Sequence, residues 1–320
     1  MKKLVVILLL ITSLGCSKDG SENTTPETNN SIDKELTGSL NLFPLALNPE
    51  FNPVSKVNLS DGALVGIVNF GAEVRVYPYA FTVHNEIIND EFQGQKYAFT
   101  YCPITKSTLA FTRDEIFRAS GFLFKDNQTP WDDKTETIWS QMLIKGIKGP
   151  KENVRFNTIP VVETTWKTVK EYFPNAKVVS GDLFSTKEVP LDGNDTSTSE
   201  NAPGSNEIVY GILDDFNNIR IFKYSNFSDK VTINATIQSQ KYIVYGDASK
   251  HIINAFKVDN FEDYTNIEGD FPFVLRHKSG IKYDILGRGI NGTVLEKPKF
   301  AYVAVWSAWQ DFYINFTFFD

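Results

Sequence analysis

The sequence predicts a mainly β (α+β) protein, in which two pseudo-repeated antiparallel β units and a few short helices form a single compact unit. Composition gives the first reason, since 13% of the residues are aromatic and Phe and Tyr are abundant. Aromatic and β-branched residues are enriched in strands. The second reason is an internal self-match, in which residues 65–111 align without a gap on residues 210–256, a constant offset of 145. A repeat of this kind predicts two related structural units.

The first 16 residues read MKKLVVILLLITSLGC and predict a lipoprotein signal peptide. Two lysines precede an apolar run that is too short to span a membrane as a mature helix, and Gly15 precedes Cys16. We therefore expect lipidation of Cys16, which would attach the mature chain to a membrane. Ser17 in place of an aspartate resembles the outer-membrane address of a Gram-negative cell. The predicted location is the cell envelope, as an outer-membrane lipoprotein on the periplasmic face or the cell surface.

Residues 17–37 are predicted to form a disordered tether, because their polar composition cannot bury enough apolar surface to fold. The net charge of the whole chain is −7, and removal of Lys2 and Lys3 with the signal gives −7 − 2 = −9. An acidic chain is a poor partner for nucleic acid. After the signal, no apolar segment approaches the length of about 18 residues that a transmembrane helix needs.

The repeat divides the rest of the chain into a first half, 38–190, a polar loop, 191–206, and a second half, 207–320. Each copy predicts a strand, a turn, a second strand and then a hairpin, through EFQGQKY in the first copy and TIQSQKY in the second. Between the copies, the spacing of Trp166, Val169 and Tyr172 predicts a short amphipathic helix, capped by Thr164-Thr165 and ended by Pro174.

Cys102 is the residue of greatest chemical interest, because lipidation of Cys16 leaves it as the mature chain's one thiol. The strand-like run 97–101 precedes it, Pro103 ends ladder pairing, and 108–112 reads as a returning strand. A thiol at such a corner is a plausible reactive group, although a lone cysteine is most often a small buried hydrophobe.

The differences between the two copies assign the chemistry to the first half. Tyr101-Cys102-Pro103 becomes Gly246-Asp247-Ala248, and His84-Asn85-Glu86 becomes Asp229-Lys230-Val231. Shared positions, such as Gly66 with Gly211 and Arg75 with Arg220, are typical of a scaffold. The sequence therefore predicts that the first half carries the Cys102 site and that the second half supports it.

The chain contains, in this order, the motifs YPYAFTVHNEIIND, TYCPITKSTLAF, SGFLFKD, TETIWSQ, IKGP and IPVVETTW. Together they resemble the family catalogued as domain of unknown function 3179, and the resemblance covers most of residues 57–320. It implies a secreted or membrane-anchored bacterial or archaeal protein without an established activity. Many members carry Cys-Pro-x-Cys, and some are described as carrying selenocysteine, which would suggest thiol or selenol redox chemistry.

This chain departs from the family pattern at two positions. Thr105 stands where the second cysteine of Cys-Pro-x-Cys would lie, which argues against an internal dithiol cycle. The family commonly places His directly before Glu, whereas here Asn85 separates His84 from Glu86.

The candidate site consists of Cys102, His84, Glu86, Ser140 and Gln141, which we expect to line one pocket with the thiol at its floor. A thiol ionises near pH 8.5, so a nucleophile at neutral pH needs a nearby cation or hydrogen-bond donors, which His84 and the amides after Pro103 would supply. The residue pattern leaves a nucleophile, a sulfenic-acid former and a metal ligand open, but no His-x-His or Cys-x-x-Cys spacing supports a metal.

Two functions therefore remain open: thiol chemistry at Cys102, or a non-catalytic surface lipoprotein that binds a ligand or partner. A redox role would require an external thiol or partner protein to restore Cys102, since the chain supplies no resolving cysteine. The sequence identifies no cofactor.

Overall fold

The computed structural model describes residues 31–181, 203–214, 218–228 and 231–319. Strands dominate this part of the chain, helices are short, and the strands form antiparallel and mixed sheets. The predicted mainly β class and the single compact unit are confirmed. Cys16, the signal peptide and most of the polar loop at 191–206 lie outside the described residues.

The first half and the residues directly before it, 31–181 as described, contain fifteen strands and three helices. The strands are β1 Leu36–Gly38, β2 Ala46–Leu47, β3 Glu50–Pro53, β4 Leu64–Phe70, β5 Glu73–Pro78, β6 Ile87–Phe92, β7 Gln95–Cys102, β8 Ser107–Thr112, β9 Phe117–Phe124, β10 Asn127–Asp132, β11 Ile138–Ser140, β12 Lys145–Lys148, β13 Thr158–Ile159, β14 Val161–Thr165 and β15 Lys177–Ser180. The helices are α1 Ser31–Glu35, α2 Tyr79–Thr82 and α3 Trp166–Tyr172, and Val54–Lys56 form a 3-10 turn.

The second half repeats this order with fewer strands. They are β16 Ile208–Leu213, β17 Asn218–Lys223, β18 Thr232–Ile237, β19 Gln240–Asp247, β20 Ile252–Val258, β21 Tyr264–Asn266, β22 Phe273–His277, β23 Lys282–Asp284, β24 Ala301–Val305 and β25 Asn315–Phe319. Helix α4 spans Trp306–Phe312, and 3-10 turns span Tyr224–Phe227, Ala248–Lys250 and Phe261–Asp263.

The described strands of each half form three sheets in corresponding order. The first half has β14-β4-β5-β15-β3, β13-β8-β7-β6-β2 and β1-β9-β10-β11-β12, and the second half has β24-β16-β17-β25, β18-β19-β20 and β21-β22-β23. Strands β5 and β17 begin at residues 73 and 218, and β7 and β19 at 95 and 240, each 145 residues apart. The duplication predicted from sequence is therefore a duplication of structure.

Local sequence explains the elements that were predicted. The β6–β7 hairpin turns at Gln93 and Gly94, which both have positive φ as a type I′ turn requires. Helix α3 begins after Thr165, whose hydroxyl accepts a hydrogen bond from the Thr168 amide at 3.4 Å. Cys102 ends β7, as the following proline predicts. Of the tether predicted for residues 17–37, only 31–37 are described, and they form α1 and the start of β1.

A shared core joins the two halves. The largest cluster of buried apolar side chains includes Phe111 and Trp139 from the first half and Tyr210 and Trp309 from the second. Burial of such aromatic side chains contributes about 1.5–3 kcal/mol each. The halves are thus parts of one folded unit. Within the described ranges, no helix is both long and apolar enough to cross a membrane.

Candidate functional site

Cys102 lies where β7 ends and the chain turns back into β8. It pairs with Ser107 across the ladder, and Pro103 to Lys106 form the intervening turn. The thiol is buried, with the residue only 1% exposed. The corner predicted from sequence is therefore correct, but the thiol points into the protein interior.

Three hydrogen-bond donors surround the sulfur. The Gln128 amide donates to Cys102 Sγ at 3.4 Å, and the hydroxyl and amide of Thr105 also donate to it. Burial nevertheless raises the pKa of the Cys102 thiol above its ordinary value, and the nearby Glu86 carboxyl adds to the rise. The pKa is therefore shifted away from the expected low value, because burial and then the Glu86 charge outweigh the three hydrogen bonds to the sulfur. Cys102 is a neutral thiol at pH 7.

Glu86 is the ionisable side chain that acts on the thiol. Its backbone carbonyl accepts a hydrogen bond from the Tyr101 amide at 2.9 Å, which places it beside the end of β7. Its φ of 58° lies in the left-handed region, an unusual conformation for a residue with a side chain. Burial raises the pKa of the Glu86 carboxyl to about 7. Backbone strain and a shifted pKa together are typical of functional positions.

The turn before β6 points two neighbouring residues in opposite directions. His84 is exposed, and no contact described for it reaches Cys102. Asn85 is fully buried; its side-chain amide donates to the Pro44 carbonyl at 2.8 Å, and its carbonyl oxygen has no partner. The structure thus places Glu86 near the thiol. Of the two residues before it, Asn85 faces the protein interior and His84 faces the solvent.

Gln141 belongs to a buried polar network beside the thiol, and Ser140 does not. Ser107 donates to Gln141 Oε1 at 2.6 Å, and Gln141 Nε2 donates to Thr100 Oγ1 at 2.8 Å. Asn127 Nδ2 links Gln141 to Thr105 at distances of 2.9 and 2.8 Å. Ser140 instead accepts a hydrogen bond from the Leu143 amide, which makes it part of the local turn.

Unpaired polar atoms accumulate around this network. Buried polar atoms in proteins are nearly always hydrogen-bonded, so exceptions require an explanation. The described residues contain six such side-chain atoms, and five of them lie on residues next to or bonded to the site: Asn85 Oδ1, Tyr101 OH, Asn127 Oδ1, Gln128 Nε2 and Gln128 Oε1. The site therefore has hydrogen-bonding capacity that the described protein groups do not use.

Sequence reasoning missed most of this network. Thr105, Asn127 and Gln128 are uncharged, so their types alone carry no chemical signal. The repeat contained a usable signal, since Thr105 and Ser107 become Lys250 and Ile252 in the second copy. There, Asp247 stands in place of Cys102 and caps a 3-10 turn by accepting from the Lys250 amide at 3.1 Å.

A second buried network joins the two halves next to the site. Glu163 is 4% exposed; its Oε2 accepts a hydrogen bond from Tyr79 at 2.6 Å, and its Oε1 lies 3.5 Å from the Tyr224 hydroxyl and 2.7 Å from His251 Nε2. Burial, together with the Glu163 charge, raises the pKa of both tyrosines. Tyr101 stacks on Tyr79 with ring centroids 4.0 Å apart, which connects this network to the strand of Cys102. Tyr79 and Tyr224 are equivalent in the repeat.

A metal centre has no support in the described residues, where no three His, Cys, Asp or Glu side chains come together as ligands. The ionisable part of the site consists of a thiol and a carboxyl group. A carboxylate next to a neutral thiol can accept its proton, and the surrounding amides and hydroxyls can orient a small polar molecule.

Comparison with known protein families identifies a match over most of the chain. A family model described as "Protein of unknown function (DUF3179)" matches residues 41–316, which covers both halves and every element of the candidate site. No curated protein and no solved structure matches the chain.

Proposed function

The chain belongs to the DUF3179 family of proteins of unknown function, and we propose that it is a cell-envelope lipoprotein that performs thiol chemistry at Cys102. Its reactant is a small oxidant such as hydrogen peroxide, and Glu86 accepts the thiol proton. The juxtaposition of the buried thiol with the Glu86 carboxyl carries this proposal. The raised pKa of about 7 is close to the value that suits a general base at neutral pH.

The burial of Cys102 sets the size of the reactant. Because the thiol is only 1% exposed, we propose a reactant close to water in size rather than a bulky reagent. The unpaired side-chain amide of Gln128 and the hydroxyl of Tyr101 supply hydrogen-bond donors and acceptors for such a molecule. Hydrogen peroxide is small and polar, and it reacts with thiolates to give sulfenic acid.

The proposed reaction balances without a cofactor. The Cys102 thiol transfers its proton to Glu86 as the sulfur attacks one peroxide oxygen, so that an S–O bond forms and the O–O bond breaks. The departing hydroxide takes the proton from Glu86 and leaves as water. One external thiol then converts the sulfenic acid to a mixed disulfide and water, and a second thiol releases Cys102 as an external disulfide forms.

A binding module is the second candidate, and the buried polar network favours it. Five unpaired polar atoms could hold a small ligand with Cys102 acting only as a buried hydrophobe. Sulfenic-acid trapping separates the two functions. The wild-type chain is treated with peroxide while folded, the peroxide is removed, and the chain is then unfolded in the presence of a dimedone probe, with Cys102→Ser as the control. Thiol chemistry predicts a probe adduct on Cys102; an adduct that forms only when peroxide is added after unfolding would contradict it and leave the binding module.

Thr105→Cys should create an intramolecular disulfide with Cys102. The Thr105 hydroxyl already donates to the Cys102 sulfur, so a sulfur at this position lies close to the geometry that a disulfide requires. We expect mild oxidation to remove both thiols, as measured by thiol titration after unfolding. Ile104→Cys is the matched control, because residue 104 is 54% exposed and should keep its thiol free. Two free thiols in oxidised Thr105→Cys would contradict the described contact.

Cys16→Ala should release the protein from membranes. The proposed lipid anchor depends on acylation of the Cys16 thiol, and alanine cannot be acylated. We expect the wild-type protein in the detergent-soluble membrane fraction and a loss of lipid labelling in Cys16→Ala. Cys102→Ala should label like wild type. Unchanged lipid labelling of the Cys16→Ala protein would contradict the anchor.

A further inference from the structure

A segment near the start of the chain extends all three sheets of the first half, whereas the second half lacks a described counterpart. Strand β1 adds to β9, β2 adds to β6, and β3 adds to β15. The second-half equivalent of β15 is β25: Lys177 pairs with Arg75, and Thr317 pairs with Arg220, which is the repeat partner of Arg75. Among the described residues, β25 pairs only with β17.

Within the described ranges, the outer edge of β25 is therefore open where the equivalent edge of β15 is paired. Strand β3 covers β15 in an antiparallel arrangement and itself carries Glu50 and Pro53, which discourage further pairing at that edge. Strand β25 reads NFTFF, with no charge, proline or bulge in the described pairing. An unprotected edge with this composition is a template for pairing with another strand.

We propose that β25 pairs antiparallel with β25 of a second copy of this chain, about a two-fold axis at Thr317. The resulting dimer carries one continuous sheet across its interface. A two-fold interface uses the same surface twice, so it requires a self-complementary strand. A neutral strand meets this requirement because its two copies do not repel each other.

The aromatic pattern fixes the register of this pairing. Phe316 and Phe318 both contact Trp306 edge-on, with centroid distances of 4.7 and 5.3 Å, so they lie on the same face of the strand. A two-fold axis at Thr317 places Phe316 opposite Phe318 of the second copy. Cross-strand aromatic pairs of this kind stabilise sheets by about 0.2–1 kcal/mol each. A register shifted by one residue would turn the aromatic side chains of the second copy to the opposite face of the sheet, so that Phe316 and Phe318 would no longer pair.

Two exposed residues are consistent with an interface here. Ile314 immediately precedes β25 and is 88% exposed, the highest value among the exposed large hydrophobic side chains described. Thr317 is also exposed, at the centre of the strand. Pairing at this edge would bring a second copy next to this apolar position and satisfy the outward backbone groups of β25.

Disulfide trapping of Thr317→Cys tests the proposal in the full chain. Residues opposite each other in an antiparallel pair have Cα atoms about 4.5–5.5 Å apart, within the range that a disulfide spans. With Cys16 lipidated and Cys102 buried, the thiol introduced at residue 317 is the accessible one that a mild oxidant would couple. Ser279→Cys, at an exposed residue in the turn between β22 and β23, is the control for random collision.

We expect a reducible dimer of Thr317→Cys on a non-reducing gel, formed on the order of tenfold faster than the dimer of Ser279→Cys because pairing raises the effective concentration. Addition of Ile314→Asp to Thr317→Cys should reduce this coupling by introducing two like charges at the interface. Equal coupling of Thr317→Cys and Ser279→Cys, or no dimer of Thr317→Cys, would overturn the proposal.

Discussion

Glu163→Ala should destabilise the protein by about 3–5 kcal/mol, because several buried hydrogen-bonding groups lose their partner at about 1–3 kcal/mol each. The Glu163 carboxylate joins Tyr79 of the first half to Tyr224 and His251 of the second. Alanine would leave two buried hydroxyls and an imidazole without their acceptor. Urea unfolding of the wild-type and variant proteins measures the difference as a shift in midpoint.

The control for this prediction is Glu171→Ala on helix α3. Glu171 is exposed and lies 3.9 Å from Lys167, and exposed pairs of this kind contribute at most about 0.5 kcal/mol. A double-mutant cycle of Glu163→Ala with His251→Ala should give a coupling energy of about 1 kcal/mol or more. If the free energies of unfolding of Glu163→Ala and wild type differ by less than about 1 kcal/mol, the network does not hold the halves together.

Glu86→Gln should make the folded protein more stable than wild type at pH 8. At pH 4, its free energy of unfolding should be close to that of wild type. In the folded state the pKa of Glu86 is about 7, above its ordinary value of 4.5, so the folded state binds the proton more tightly than the unfolded state. The stability that this proton contributes is fully present below about pH 4.5 and is lost as the pH rises through 7. A shift from 4.5 to about 7 corresponds to about 3 kcal/mol.

Glutamine mimics the protonated side chain and cannot ionise, so the variant should lose this part of the pH dependence. Unfolding free energies of wild type and Glu86→Gln, measured between pH 4 and 8, should diverge as the pH rises. Glu91→Gln, at an exposed position of the neighbouring strand β6, is the matched control. Its unfolding free energy should depend on pH in the same way as that of wild type. Parallel curves for Glu86→Gln and wild type would show that the folded protein does not raise the pKa of Glu86.

Periodicity and turn chemistry predicted the fold because these signals are local. Gln93-Gly94 predicted the β6–β7 hairpin, Pro103 predicted the end of β7, and Thr165 with Pro174 predicted the limits of helix α3. The repeat extended these local predictions to the second half. The added strand β3 was not predicted, because its pairing with β15 joins residues far apart in the chain.

The candidate site was predicted only in part. Glu86 and Gln141 were identified from residue type and do lie beside Cys102. His84 was expected to activate the thiol, but its side chain is exposed. The left-handed φ of Glu86 in the same turn was not predicted from the sequence pattern. The Glu163 network combines residues from both halves, so its assembly depends on how the halves pack.

The pH dependence of Cys102 oxidation tests the central claim most directly. The rate of sulfenic-acid formation by hydrogen peroxide is measured between pH 5 and 9 in the folded wild-type and Glu86→Gln proteins, with Glu91→Gln as control. We predict a wild-type rate that rises through about pH 7 as Glu86 ionises, and a loss on the order of 100-fold in Glu86→Gln at neutral pH. Identical rates in wild type and Glu86→Gln at every pH, or a Cys102 that reacts only after unfolding, would contradict the proposed chemistry.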